Sequence, residues 1–200
     1  MAKTPVAEIH LFDGDDFQVH NAFRAPGATD AADFEVEGGL KKVDYYYQLY
    51  SRMRHGIVPH SEYITKDNVG QLKNFNFAFI SVDKNVVRRS IADDLMSFDL
   101  PFIDVGLGVK LRDDDLVGSI RVTAVTGKKH DHLADRIGSE EFAENEYATN
   151  IQISDLNCMN AVLAVMKWKK LNGFYQDLKD EHTNLFFINT NKLLNEDFPT

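Results

Sequence analysis

Strand-like and helix-like segments alternate along most of this 200-residue chain. Short apolar runs at 8–12 and 74–83 are typical of strands, and the second run is apolar enough to be buried on both faces. Residues 38–56 and 86–98 instead repeat apolar positions at the period of an α-helix. This alternation predicts an α/β fold with a mostly parallel sheet and helices on both faces.

The second half of the chain continues the pattern. Residues 101–109 and 116–127 are predicted strands, and 183–194 is predicted to form one more strand near the end. A helix is predicted between Ser154, which can cap its first turn, and Gly173, which follows lysines in its last turn. We therefore predict a single α/β domain over residues 1–200.

The segment 128–150 is polar and charged and has few apolar anchors, which predicts a long crossover loop. Four side chains in it could ligate a metal by type and spacing: His130, Asp131, His132 and Asp135. A motif this short has a high false-positive rate, and lysines and an arginine surround it. We interpret it as a solvated loop rather than a metal site.

Composition excludes several classes of protein. Thirty-one acidic residues against 22 basic ones give a net charge of −9, which argues against nucleic-acid binding through many phosphate contacts. No apolar run is long enough for a membrane span or a signal peptide, so we expect a soluble, cytoplasmic protein. The single cysteine, Cys158, excludes an internal disulfide, and its apolar neighbours in the predicted helix favour an inert thiol.

Polar side chains follow the predicted strands at the edge where ligands of α/β sheets bind. Asp13 ends the strand at 8–12, where a carboxylate can accept hydrogen bonds from both ribose hydroxyls of a nucleotide. Asp83 ends the strand at 74–83. Each residue also has a structural interpretation, because Asp13 could cap a loop and Asp83 could cap the next helix.

Three short motifs support the interpretation that this edge binds a nucleotide. Residues 13–24 read D-G-D-D-F-Q-V-H-N-A-F-R, residues 39–42 read G-L-K-K, and residues 83–88 read D-K-N-V-V-R. In this order they resemble the D-x-D-x-V-x-x-x-N-x-x-R, G-x-x-K and D-N-x-x-x-R motifs of the ThiF/MoeB/HesA family of ubiquitin-activating-type adenylyltransferases. Phe17 stands where the family usually has valine, and Lys84 stands where it has asparagine.

This resemblance implies a Rossmann-like fold and a set of ligand contacts. By position, Asp13 would bind the ribose, and Arg24 and Lys42 would contact the phosphates of ATP. Asn21 would help to orient the phosphates, and Asp15 would also belong to the nucleotide-binding site. Asp83 would hold Mg²⁺, and the catalytic residues would be Arg24, Lys42 and Asp83. The family activates the C-terminal carboxylate of a ubiquitin-like or sulfur-carrier-type protein, releases pyrophosphate, and usually forms a homodimer.

The beginning of the chain departs from the family. A first strand and a G-x-G-x-x-G loop should precede Asp13, and nothing in the sequence before Asp13 supplies them. We therefore expect an N-terminally incomplete nucleotide-binding domain that binds ATP poorly or not at all by itself. A truncated enzyme, or a split enzyme in which a separate chain supplies the N-terminal half, would account for this.

Two other functions stay open at this point. The chain could be a non-catalytic ThiF-like module for binding or dimerisation, which the missing loop favours. It could also be a nicotinamide-dependent Rossmann oxidoreductase in which Asp13 binds the adenosine ribose. Each lysine or arginine has an ordinary explanation too, since Lys42 could be a solvated helix lysine and Arg24 could pair with Asp30 or Asp33.

Overall fold

The computed structural model describes residues 1–133 and 151–195. The chain divides into two compact units, Met1–Asn68 and Val69–Thr200. The α/β fold class is confirmed, whereas the single domain stays a prediction. In the described ranges, every helix is too short or too polar to cross a bilayer.

The first unit is built on two parallel strands. Strand β1, Ile9–Phe12, pairs with β2, Ile57–His60, in the register Ile9↔Ile57 to Phe12↔His60. Between them lie helix α1, Val19–Arg24, and helix α2, Lys42–Ser51, together with a short 3₁₀ turn. This confirms the predicted strand at the start of the chain and places its carboxyl end next to the end of β2.

Helix α2 is shorter than the 38–56 segment predicted from periodicity. Gly38 and Gly39 have φ angles of +84° and +79°, a left-handed conformation that an α-helix cannot include. The helix therefore begins at Lys42. Its Tyr45 stacks on Phe17 with ring centroids 3.9 Å apart, and this pair is the centre of the unit's aromatic core.

The second unit contains a five-stranded sheet in the order β3-β4-β5-β6-β7. Its elements, in chain order, are β3, Ala78–Ile80; α3, Asn85–Ser97; β4, Phe102–Arg112; β5, Asp115–Val125; α4, Ser154–Leu171; β6, Thr183–Phe187; and β7, Lys192–Leu194. Strands β3 and β4 are parallel, and the other three pairs are antiparallel. The sheet is therefore mixed rather than mostly parallel.

Tight turns connect the strands of two of the three antiparallel pairs, β4-β5 and β6-β7. Asp113 and Asp114 connect β4 to β5 with φ angles of +50° and +69°, as in the two-residue turns that match the twist of a hairpin. The tail at 183–194, predicted as one strand, folds back on itself as β6 and β7. Positive φ angles are uncommon at residues other than glycine. The spacing of apolar residues therefore gave no indication of a turn at two aspartates.

Helix α4 confirms the most regular of the predicted helices. It packs on β4 and β5 around a core that includes Val109, Ile120, Leu156 and Phe186. The predicted cap was wrong by one residue: Ile153 is the N-cap, without a side-chain cap hydrogen bond. The crossover loop predicted at 128–150 lies outside the described residues from position 134 onwards.

Candidate functional site

The candidate site lies in the loop after β1. The backbone NH of Asp13 donates to the carbonyl of His60 at 3.3 Å, so the β1-β2 pair fixes where the loop begins. Asp13 Oδ1 accepts the backbone NH of Asp15 at 2.8 Å, which closes a tight turn. The Asp13 side chain is 36% exposed, which leaves its remaining carboxylate lone pairs accessible to a ligand.

Lys42 reaches the same loop from the start of α2. Its backbone NH donates to the carbonyl of Asp15 at 3.0 Å. Its ammonium lies 2.5 Å from Asp15 Oδ2 and 3.6 Å from Asp13 Oδ2. The structure thus brings three of the predicted residues together: Asp13, Asp15 and Lys42.

Tyr63 completes the cluster from the segment after β2. Its hydroxyl donates to Asp15 Oδ1, so the Asp15 carboxylate has one donor on each oxygen. The hydrogen bond from Lys42, and then that from Tyr63, hold the pKa of Asp15 below its usual range. The same bond raises the pKa of Tyr63. Sequence reasoning missed Tyr63, because it lies 48 positions from Asp15 and belongs to no motif.

A second lysine neutralises the third acid of this loop. Lys41 Nζ lies 2.7 Å from Asp16 and donates to the carbonyl of Gly14 at 2.9 Å. Asp16 and Lys41 also form an isolated antiparallel bridge. Each lysine is therefore paired with an acid, and a phosphate entering the site would compete with that acid for the ammonium.

Asn21 and Arg24 lie on α1. Asn21 is only 6% exposed, and its Oδ1 accepts the backbone NH of Gln18 at 2.8 Å, which closes the first turn of the helix. This bond gives Asn21 a structural role. Arg24 is half-buried in the last turn of α1. Burial raises the pKa of Tyr46 to about 12, and among the smaller effects the charge of Arg24 lowers this pKa while that of Asp13 raises it.

Asp83 belongs to the second unit, and it does not end a strand as predicted, because β3 stops at Ile80. It is exposed between β3 and α3, and Lys84 rather than Asp83 is the N-cap of α3. The backbone just before Asp83 is held by Arg88, whose Nε and Nη2 donate to the carbonyl of Val82 at 2.9 Å and 2.5 Å. Arg88, which the third motif includes, thus fixes the loop that carries Asp83.

A buried acid in β4 was missed by sequence reasoning. Asp104 is fully buried, and its oxygens lie 2.6 Å from Arg121 Nη2 and 3.3 Å from Arg88 Nε. Arg121 also donates to Thr123 at 2.6 Å. Burial raises the pKa of Asp104, and the two guanidinium groups oppose this rise. One signal was available, since an acid inside the apolar run PFIDV requires a buried partner.

The part of the chain that the structure describes contains no group of three or more His, Cys, Asp or Glu side chains suited to hold a metal ion. His132 of the candidate loop cluster is buried, and its Nε2 hydrogen-bonds to the carbonyl of Ala124 at 3.0 Å. Asp135 lies outside the described residues. Cys158 is a free thiol on α4 and is half-buried.

Comparison with known proteins gives the fold but not the family. No protein-family model matches this sequence, and no curated protein matches it. The chain is similar to the crystal structure of selenomethionine PaaA, with a TM-score of 0.62 and 13% identity over 94% of this chain and 63% of that one. It is also similar to E. coli MccB with succinimide, with a TM-score of 0.61 and 14% identity over 98% of this chain and 58% of that one.

The comparison supports a Rossmann-like α/β fold for this chain. At 13% and 14% identity the likeness extends to the fold alone. The chain spans about three fifths of the length of the two structures.

Proposed function

We propose that this chain carries the ribose and phosphate contacts of a ThiF-type adenylating site. One observation carries the proposal: the Lys42 ammonium is held beside Asp13 and Asp15 at the carboxyl end of β1. A carboxylate for ribose and a cation for phosphate therefore lie within one loop, at the sheet edge where nucleotides bind. The Rossmann-like fold supports the same interpretation.

Asp13 is the ribose ligand in this proposal, because its half-exposed carboxylate keeps acceptor capacity after closing the turn with Asp15. Lys42 contacts the phosphates after leaving Asp15, and Arg24 adds a second cation. Asn21, which closes the first turn of α1, acts by orienting that helix. Asp15 holds Lys42 ready when no nucleotide is bound.

The proposed reaction is attack of a carboxylate on the α-phosphorus of ATP, with pyrophosphate as the leaving group. Crowded negative charge is the main barrier to such a step, so well-placed cations would supply most of the catalysis. Mg²⁺ bound with ATP would neutralise phosphate charge, and the resemblance gives Asp83 as the residue that would hold it. One exposed carboxylate fits this ion, because Mg²⁺ usually binds through one or two carboxylates plus phosphates and waters.

The acyl substrate proposed from the resemblance is the C-terminus of a ubiquitin-like or sulfur-carrier-type protein. A homodimer is proposed on the same basis. Neither depends on the geometry of the Asp13 loop.

Saturation-transfer NMR with AMP tests the ribose contact and is sensitive to weak binding. We expect a signal from AMP on the full chain that is much weaker for 2′,3′-dideoxy-AMP and is lost in Asp13→Asn. This variant can keep the oxygen that accepts the NH of Asp15, and it replaces the other oxygen with an amide NH2, which removes the charge and one acceptor. Asp16→Asn, which removes the neighbouring acid paired with Lys41, should retain the signal. Equal signals in wild type and Asp13→Asn would contradict the proposal.

ATP–pyrophosphate exchange tests the metal ligand. Any exchange that the chain supports, alone or with a second chain, should be abolished in Asp83→Asn. Asp93→Asn is the control, because Asp93 lies on the following helix and pairs with Arg89 at 3.0 Å. Exchange retained in Asp83→Asn would remove Asp83 from the mechanism.

A further inference from the structure

Tyr63 makes two specific contacts although 59% of it is exposed. Its hydroxyl donates to Asp15, and its ring lies against Gly14, where an added Cβ would stand 2.7 Å from a ring carbon. An exposed tyrosine that packs on a glycine and bonds to a charged group is held in one orientation by its surroundings. Its position is therefore set by the loop after β1.

Asp15 is the link between Tyr63 and the proposed phosphate ligand. Tyr63 occupies Oδ1, and Lys42 occupies Oδ2 at 2.5 Å. A bound phosphate would compete with this carboxylate for the Lys42 ammonium. Without Tyr63, the departure of Lys42 would leave the half-exposed Asp15 carboxylate bonded to water, which solvates its charge but does not hold it in one orientation.

We propose that Tyr63 is a positioning residue that keeps Asp15 hydrogen-bonded while Lys42 transfers from Asp15 to the phosphates of a bound nucleotide. This inference rests on the proposed function. Tyr63 acts through Asp15 and Lys42 and need not touch the nucleotide. Its effect is therefore confined to ligands that carry phosphate.

The test compares adenosine, which has ribose but no phosphate, with MgATP on the full chain. Binding is measured by NMR titration for wild type and Tyr63→Phe, which keeps the ring on Gly14 and removes only the hydroxyl. We expect MgATP affinity to fall about threefold, because a hydrogen bond to a half-exposed carboxylate contributes less than one to a buried group, and we expect adenosine affinity to stay unchanged. Tyr47→Phe, the same change at a partly exposed position of α2, should alter neither affinity.

A second variant disturbs the contact between Tyr63 and Gly14 by changing the glycine. Gly14→Ala would force the Tyr63 ring away from the loop, and it should reproduce the selective loss of MgATP affinity. Gly70→Ala is its control, since an added Cβ there meets nothing within 4 Å. Equal loss of adenosine and MgATP affinity in both variants would indicate a structural role and overturn the inference.

The outcomes separate this inference from the proposed function. If wild type prefers MgATP to adenosine and Tyr63→Phe keeps the same preference, Tyr63 has no positioning role and the adenylating site stands. If wild type binds neither ligand, both proposals fail.

Discussion

Replacing Arg121 with alanine should destabilise the second unit by about 3 kcal/mol. Asp104 is fully buried, and Arg121 supplies the shorter of its two ion pairs, at 2.6 Å, while Arg88 lies at 3.3 Å. Removing one partner of a buried ion pair typically costs about 3–5 kcal/mol. We expect a loss at the lower end of this range, because Arg88 still pairs with Asp104. The hydrogen bond from Arg121 to Thr123 is lost as well.

The pH dependence has a definite sign. Burial raises the pKa of Asp104, and Arg121 is the larger of the two groups that oppose the rise, so its loss raises this pKa further. A carboxyl group whose pKa is higher in the folded state than in the unfolded state stabilises the fold at low pH and loses that contribution as pH rises. The loss of unfolding free energy in Arg121→Ala, relative to wild type, should therefore be larger at about pH 7 than at about pH 4.

Urea unfolding followed by the fluorescence of Trp168, the single tryptophan, measures the effect in the unit that contains it. Arg112→Ala is the control in the same hairpin. Arg112 pairs with Asp113 at 3.7 Å, and these side chains are 74% and 93% exposed, so no measurable change is expected. A loss below about 1 kcal/mol in Arg121→Ala would refute the buried-pair reasoning.

Two predictions concern the first unit. Burial, followed by the facing imidazole of His10, lowers the pKa of His60 against the opposing effect of a nearby glutamate. The neutral His60 ring therefore stabilises the fold above the ordinary pKa of about 6.5, and this contribution is lost as pH falls. The melting temperature should depend less on pH in His60→Gln than in wild type. His20→Gln is the control and should keep the pH dependence of wild type. Gly56→Ala should lower the free energy of unfolding by about 2 kcal/mol or more, since φ at this position is +74° and a Cβ would lie 2.3 Å from a backbone oxygen. Gly38→Ala should lower the free energy of unfolding by less, because φ there is +84° but a Cβ would meet no atom within 4 Å. Hydrogen exchange of the β1 amides compares the two variants. Equal protection of these amides in both variants would contradict the predicted clash at Gly56.

Local periodicity predicted the regular elements that depend on neighbouring residues. The strand at β1 and helices α3 and α4 lie where the apolar pattern placed them. The direction of strand pairing was less accessible, because it depends on turns such as Asp113–Asp114 and on partners distant in the chain. The predicted parallel sheet was therefore found only in part.

The candidate site shows the same division. Asp13 at a strand end and Lys42 at the start of α2 could be identified from motif spacing, and the fold brings them together. Their roles as nucleotide ligands stay predictions, as do those of Arg24 and Asp83. Tyr63 and Asp104 had no motif to mark them, since their importance comes from partners reached only after folding.

The sequence by itself determined the approximate positions of β1, α3 and α4 and that Asp13 follows the first strand, because these properties follow from the spacing of residues close together in the chain. Only the tertiary structure decided that Asp15 is shared by Lys42 and Tyr63, and that Asp104 is buried between two arginines. These interactions join residues 16 to 48 positions apart. Their energies depend on burial and distance, which the fold sets and the order of residues alone does not show.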